Sequence, residues 1–192
     1  MMEKGPYPGI DSIKKEMERI NYRKQYLGTI RNTIFSLITV AAIAVLIAVL
    51  WMPVLQIYGT SMAPQLTEGN IVISHKAKHF KQGDVIAFYY NNKVLVKRMI
   101  ANPGDWVDID AEGNVYVNGT LLDEPYVKEK SLGDCNIDLP YQVPEGKIFV
   151  MGDHRSVSID SRNSSVGCVA DDQIVGKLAV KIWPVKSIGI VK

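Results

Sequence analysis

Hydrophobic positions follow one pattern before residue 53 and another after it. No residue from 32 to 67 is charged, and residues 34–51 are mostly Ile, Val, Leu and Ala. An apolar run of that length matches the ~20 residues with which an α-helix crosses a bilayer. Trp51 stands where an interfacial anchor belongs, and Pro53 ends or bends the helix just beyond it. The pattern therefore predicts a transmembrane anchor over residues 32–52.

Residues 1–31 form a basic segment before this anchor. Apolar residues recur there at spacings near whole helical turns: Ile13, Met17, Ile20 and Leu27. The spacing predicts a short amphipathic helix capped by Asp11 or Ser12. A basic excess beside an apolar span is typical of the cytoplasmic side. A basic segment of about thirty residues and so long an apolar run favour an uncleaved anchor over a cleaved signal peptide.

The remaining residues, 53–192, show short β-branched runs bounded by turn residues, which are typical of strands. Asn118-Gly119 is a strong two-residue hairpin signal, and residues 103–105, Pro-Gly-Asp, mark another turn. We therefore expect a mainly β, antiparallel, extracytoplasmic domain. The predicted strands cover residues 70–74, 84–90, 94–100, 106–109, 115–117, 121–122, 148–151, 176–182 and 188–191.

Composition and charge exclude several classes of protein. With 47% hydrophobic and 22% charged residues over 192 positions, the chain is too apolar for disorder. The net charge is +2 and, after the N-terminal segment, basic residues alternate with acidic ones, so no nucleic-acid footprint is present. Two distant cysteines, Cys135 and Cys168, do not make a disulfide framework; one bridge or two free thiols both remain open.

No metal site or cofactor is expected from the sequence. The three histidines, His75, His79 and His154, lack the spacing of a zinc-protease helix and are interpreted as surface residues. Residues 108–113 resemble the start of a calcium loop, but Gly119 stands where the bidentate Glu belongs. We interpret that stretch as a turn between strands.

The first candidate for chemistry is the loop that follows the anchor, residues 58–64. Gly59 permits a positive φ, and Pro64 fixes its own φ and lacks a backbone donor, so the loop can hold the Ser61 hydroxyl in one orientation. Such turns are also common in loops without any catalytic role. A nucleophilic serine needs a base.

Lys97 is the candidate base. In the strand over residues 94–100, Leu95 and Met99 share its face, so burial among them is expected to lower its pKa. A shift from about 10.4 to near 7 corresponds to roughly 4–5 kcal/mol, within the range for buried lysines. A neutral lysine can take the proton of a serine hydroxyl during attack on a carbonyl. The alternative is a strand lysine whose head group reaches water.

A third stretch, residues 152–162, is polar and rich in charge, which predicts a loop held by its own hydrogen bonds. We expect one of its serines to orient the lysine amine. Its acids and arginines are expected to pair with one another and with the lysine-bearing strand in one network: Asp153, Asp160, Arg98, Arg155 and Arg162.

These three motifs together resemble the type I signal peptidases, in the short single-anchor form of Gram-positive bacteria. The match runs in order over roughly residues 33–185: Gly-Thr-Ser-Met-Ala-Pro at 59–64, Lys-Arg at 97–98 with Pro-Gly-Asp at 103–105, and Gly-Asp-His-Arg at 152–155 continuing to Arg162. The resemblance implies a coiled, barrel-like antiparallel β domain whose apolar edge rests on the bilayer.

The resemblance also implies roles for individual residues. Ser61 matches the nucleophile, Lys97 the general base, and Ser158 the serine that orients the lysine amine. Met62 matches a residue that shapes the small-residue pocket and the membrane-facing surface. The structural charged positions around the site are matched by Arg98, Asp153, Asp160 and Arg162.

Two positions depart from the family pattern. His154 stands where the family usually has Asn, a change expected to be tolerated. Gly59 stands where some members have a serine that donates to the oxyanion. The oxyanion site would then use the Ser61 backbone N–H and a second donor, either Thr60 or water, and one such donor is typically worth two to three orders of magnitude in rate.

The resemblance thus implies a membrane-bound serine endopeptidase that removes signal peptides from secreted preproteins by cutting after small residues. Expected partners are these preproteins, membrane lipid and the neighbourhood of the secretion translocon. Three alternatives remain: a triad of Ser61, His154 and Asp153 or Asp160; a related serine–lysine processing enzyme; and an inactive anchored β domain that binds peptides.

Overall fold

The structure, a computed structural model, describes residues 9–77 and 79–191. The chain divides into two compact units, Met1–Ala48 and Val49–Lys192. The prediction for residues 1–31 lies partly outside the described residues, because residues 1–8 are not among them.

The first unit contains most of one helix, α1, which runs without a break over Ile10–Trp51. The short helix and the anchor predicted as separate segments are therefore one element. α1 begins at Ile10, so the prediction of Asp11 or Ser12 as its cap is wrong, and both lie in its first turn. By length and composition α1 is able to cross a membrane. Within the apolar run, the hydroxyl of Thr39 donates to the Phe35 carbonyl oxygen at 2.8 Å, so the helix itself satisfies this polar group.

The second unit is built from short antiparallel strands. Those of the larger sheet are β1 (Val54–Gln56), β2 (Ile71–His75), β3 (Val85–Tyr90), β4 (Lys93–Ala101), β9 (Lys147–Met151), β10 (Val169–Ala170), β11 (Ile174–Trp183) and β12 (Gly189–Ile190). Their order is β1-β2-β11-β3-β4-β9-β10, and β12 pairs with β11. The smaller sheet has the order β7-β6-β5-β8, from β5 (Trp106–Ile109), β6 (Val115–Val117), β7 (Thr120–Leu121) and β8 (Tyr141–Gln142).

The prediction of a mainly β, antiparallel domain is confirmed, although neither sheet closes into a barrel within the residues described. Strands β1, β8 and β10 were not predicted. Each has only two or three residues, which is too short for an alternating pattern to show.

The predicted hairpin between β6 and β7 is confirmed. Val117 pairs with Thr120 across the turn. Asn118 and Gly119 have φ values of 51° and 76°, the positive values that a type I′ turn requires.

Three apolar clusters form the core of the second unit. One of them contains Met62 and Leu66, which flank the Ser61 loop on its C-terminal side, and Ile57, which precedes it. A second contains Met99 with Leu95 packed against it, on the Lys97 face of β4. The third lies around β5 and β6 and contains Val107, among others. The core therefore holds the Ser61 loop from both sides and surrounds the strand that carries Lys97.

Replacing Gly119 with alanine should destabilise the domain by about 1–2 kcal/mol, because a Cβ is strained at φ 76° although nothing lies within 4 Å of its position. Gly189→Ala is the matched control, since it is also unobstructed but lacks a positive φ. Urea unfolding of the full chain in detergent, followed by tryptophan fluorescence, measures both. Equal stability of the two variants would contradict the turn assignment.

Candidate active site

Ser61 lies in the loop between β1 and β2, where a short turn presents its side chain. Gly59 has a φ of 78°, a positive value of the kind that a glycine permits there. The Ala63 N–H donates to the Thr60 carbonyl oxygen at 3.0 Å, and the Leu66 N–H donates to the Met62 carbonyl oxygen at 2.9 Å. Ser61 itself is partly buried. Neither its hydroxyl nor its backbone N–H bonds to any residue that the structure describes, so both are available to a ligand.

Lys97 lies in the middle of β4 and is only 4% exposed. The alternative of a head group in water is therefore wrong. Burial lowers the pKa of Lys97 from its ordinary value of 10.5 to about 8; the carboxylate of Asp160 opposes this shift and the charge of Arg162 adds to it. A lysine in this position is neutral in an appreciable fraction of molecules near neutral pH.

Ser158 holds the amine of Lys97. The Lys97 Nζ donates to the Ser158 Oγ at 2.8 Å, and Ser158 is 1% exposed. This contact is the one that the sequence predicted for a serine of the loop over residues 152–162. It restricts the amine to one direction within the buried site.

Ser61 and Lys97 line the same pocket, which has a volume of about 70 Å³. The backbone at Gly152 brings their surroundings together: a Cβ there would lie 2.2 Å from the Ser158 Oγ and 2.6 Å from the Ser61 carbonyl oxygen. Two residues after Gly152, the His154 N–H donates a hydrogen bond to the same Ser61 oxygen at 3.0 Å. Strand β4, the serine loop and the loop over residues 152–162 therefore meet at one point.

Three buried ion pairs fix the loop over residues 152–162. Arg98 donates to both carboxylate oxygens of Asp153, at 2.8 and 2.6 Å. Arg162 donates to both oxygens of Asp160, each at 2.9 Å. Burial opposes ionisation of Asp160, but the hydrogen bonds and charge of Arg162 outweigh it and hold the pKa of Asp160 below its ordinary value.

The third pair corrects the predicted network. Arg155 bonds through its guanidinium to Glu124, and both side chains are fully buried. Glu124 lies outside every motif that the sequence analysis used, and nothing in the sequence around it indicates a partner 31 residues away. The expected network therefore consists of three ion pairs, one of which has an unexpected acid, and the Arg162 guanidinium links two of them by donating to the Arg155 carbonyl oxygen at 2.9 Å.

Arg98 also ties the loop over residues 152–162 to the rest of the site. Its guanidinium donates to the Gln65 Oε1 at 2.8 Å and to the Gly83 carbonyl oxygen at 2.7 Å, and it lies 3.8 Å from the ring centroid of Tyr126. Because Gln65 follows Ser61 in the same loop, Arg98 connects the serine loop to Asp153.

The rival triad is not assembled. The carboxylates of Asp153 and Asp160 are occupied by arginines, as described above. The Nδ1 of His154 is buried and has no hydrogen-bond partner among the residues described. The imidazole therefore lacks the orienting carboxylate that a triad requires.

The structure places the other predicted residues as follows. Met62 is only 2% exposed and lies in the core, so its predicted contribution to a membrane-facing surface is wrong, although it lines the pocket beside Ser61. Thr60 is exposed next to the nucleophile candidate.

Cys135 and Cys168 are both free thiols. Residues 9–77 and 79–191 contain no cluster of side chains suited to a metal ion.

Comparison with known proteins finds a family model, described as signal peptidase, peptidase S26, that matches residues 30–183. Signal peptidase I U of Bacillus subtilis (strain 168) is 32% identical over 174 residues, which cover 84% of this chain and 91% of that protein. Signal peptidase IB of Staphylococcus aureus (strain Mu50) is 39% identical over 148 residues, covering 67% of this chain and 76% of that protein. A crystal structure of a signal peptidase I from Enterococcus faecalis V583 aligns with 30% identity and a TM-score of 0.44, over 54% of this chain and all of that one.

Replacing Lys97 with methionine should stabilise the domain at pH 7 by about 1–3 kcal/mol, because the variant no longer buries an ammonium. Below pH 8 the lysine is protonated in both the folded and unfolded states, so the penalty is complete there. Between pH 8 and 10.5 the folded state binds fewer protons than the unfolded state, and wild-type stability rises with pH. The gain of the variant should therefore shrink over that interval.

Urea unfolding at pH 7, 9 and 10.5 measures this difference. Lys93→Met is the matched control, since Lys93 is exposed at the start of the same strand and should show no such pH dependence. A Lys97→Met variant that is less stable than the wild type at pH 7 would contradict the buried-charge account.

Proposed function

Because the chain belongs to the signal peptidase family, peptidase S26, and is therefore a serine endopeptidase, we propose that Ser61 is its nucleophile and Lys97 its general base. The observation that carries this assignment is a buried lysine with a pKa of about 8 that lines one pocket with a serine whose hydroxyl has no partner among the described residues. The reaction of the family is the removal of signal peptides.

In this mechanism the Ser61 Oγ attacks the carbonyl carbon at the cleavage site while the neutral Lys97 amine takes the hydroxyl proton. The protonated amine then gives that proton to the leaving amine of the mature protein, which leaves an acyl-enzyme. Lys97 next activates a water that hydrolyses the ester. With a pKa of about 8, roughly a tenth of the molecules carry a neutral Lys97 at pH 7. Ser158 keeps the amine directed throughout.

The oxyanion formed in each step needs hydrogen-bond donors. The backbone N–H of Ser61 serves as the first, and it is not bonded to any described residue. The second donor is either the neighbouring Thr60 or water, since Gly59 offers no side chain.

A free strand edge supports binding of the substrate in extended form. On one edge of β4, residues 93–98 pair with β3. On the other edge, β9 pairs with β4 only from Arg98 onward. The other edge of residues 94–97 is thus without a strand partner in the part of the chain described, and it borders the pocket beside Ser61. A peptide that adds along this edge gains backbone hydrogen bonds, and a pocket of about 70 Å³ admits only small side chains. We therefore assign the small residues one and three positions before the cut to this pocket.

The proposed topology has residues 1–31 in the cytoplasm, residues 32–52 in the membrane, and residues 53–192 outside the cytoplasm. The basic excess of the first segment and the apolar run of α1 support it. The second unit also exposes several large apolar side chains close together in sequence, which would rest on lipid: Trp183, Val185, Ile188 and Ile190. An anchored enzyme and a membrane-bound preprotein share one thin layer, which raises their effective concentration. By the same reasoning, the enzyme lies near the secretion translocon, where preproteins leave the membrane.

The full chain in detergent should cut a signal-peptide-bearing preprotein after a small residue, and Ser61→Ala should lower the rate by at least ~10³-fold. Electrophoresis and mass spectrometry of the products identify the cut. Ser156→Ala is the matched control, because Ser156 is exposed in the same loop as Ser158 and should have no effect. Binding of the preprotein without cleavage by the wild type would favour the inactive peptide-binding domain.

The value of kcat/KM should rise tenfold per pH unit below about pH 8 and level off above it, because only the neutral Lys97 acts as base. Lys97→Arg should be inactive, since a guanidinium stays charged.

His154→Ala should keep its rate within about tenfold of the wild type. An active Lys97→Arg variant removes lysine from the mechanism, and a collapse in His154→Ala restores the triad.

A further inference from the structure

The loop that carries Ser61 borders two separate cavities. Residues up to Met62 line the pocket that also contains Lys97. Ala63 and Pro64, which follow directly, line a second cavity of about 210 Å³ together with Lys128, Glu129, Asp153 and His154. The loop that carries Ser61 thus lies between a small cavity and one about three times larger, and Ser61 itself lines the small one.

The second cavity is attached to the reacting centre by a direct contact. His154, one of its walls, donates its backbone N–H to the Ser61 carbonyl oxygen at 3.0 Å. Asp153, another wall, is held by both hydrogen bonds from Arg98. These contacts hold the wall in a fixed position relative to the backbone of Ser61, a residue that lines the small pocket.

We propose that this second cavity binds the residues that follow the cleaved bond, on the side of the leaving amine. The inference rests on the proposed function, in which the small pocket takes the residues before the cut. The larger volume indicates that bulky side chains are accepted on the leaving side, where the small pocket rejects them.

The charged residues on the cavity wall determine whether it prefers a positive or a negative substrate side chain. Lys128 and Glu129 are exposed, and neither forms an ion pair with a residue that the structure describes. One positive and one negative group, side by side and both unpaired, give the cavity no net preference for the sign of a substrate charge. Reversing either one leaves two like charges at the wall and should create a preference.

The experiment uses the full chain in detergent and peptides that are identical up to the cut and carry either Glu or Lys at the second residue after it. The wild type should give nearly equal kcat/KM for the two. Lys128→Glu should favour the Lys peptide by about three- to tenfold, and Glu129→Lys should favour the Glu peptide by a similar factor. Lys147→Glu, an exposed reversal at the start of β9 that does not line the cavity, should leave the ratio unchanged.

Opposite shifts in the two variants support the subsite. Equal ratios in all four proteins, or shifts of the same sign in both variants, overturn it. If the ratios are equal but Ser61→Ala abolishes cleavage of these peptides, the subsite proposal fails and the proposed function still stands. If the wild type cuts none of the peptides, the proposed function and the subsite fail together.

Discussion

Burial of the Lys97 ammonium is the constraint on which the rest of the site depends. A charged amine in an apolar environment is unfavourable, and the domain offsets the cost only in part, through one hydrogen bond to Ser158 and the nearby carboxylate of Asp160. A stronger counter-charge would stabilise the fold but would also raise the pKa. Because Asp160 is already bound by Arg162 through two hydrogen bonds, its charge is shared, and the amine stays titratable near neutral pH. The ion pair beside Lys97 therefore moderates the field that the lysine experiences.

The same logic explains why the loop over residues 152–162 contains so many buried charges. The loop forms no strand ladder of its own, so its backbone groups need other partners. Arg162 supplies two of them, since its Nη2 donates to the Arg155 carbonyl oxygen at 2.9 Å and to the Ser158 carbonyl oxygen at 3.3 Å. The N–H of Gly152 finds its acceptor in Asp160 at 2.9 Å. Removing one member of a buried pair leaves the other uncompensated, so these charges fix one loop conformation and, through it, the position of Ser158.

Sequence patterns predicted those features that arise locally. The apolar run of α1, the alternating faces of β4 and the Asn118-Gly119 turn each follow from the period or the residue type of one segment. The polar character of the loop over residues 152–162 predicted that one of its serines would hold the Lys97 amine, and the family resemblance identified that serine as Ser158. Features that depend on contacts distant in sequence were missed. Glu124 pairs with Arg155 across 31 positions, and Met62 is buried because the first core cluster surrounds it. The continuity of α1 was missed for another reason, since the change from amphipathic to apolar sequence at residue 32 carries no signal that ends a helix.

Two glycines at the site show why a motif cannot be interpreted from residue type alone. At Gly59 the space around a Cβ is open, and the constraint is the backbone, whose φ of 78° disfavours a side chain. At Gly152 the constraint is space, since a Cβ would overlap the Ser158 Oγ at 2.2 Å and the Ser61 carbonyl oxygen at 2.6 Å. The first glycine shapes the serine loop, whereas the second allows that loop to approach the serine that holds Lys97. Only the second acts on both loops at once, so the approach of the Ser61 loop to Ser158, which holds Lys97, depends on the absence of one methyl group at residue 152.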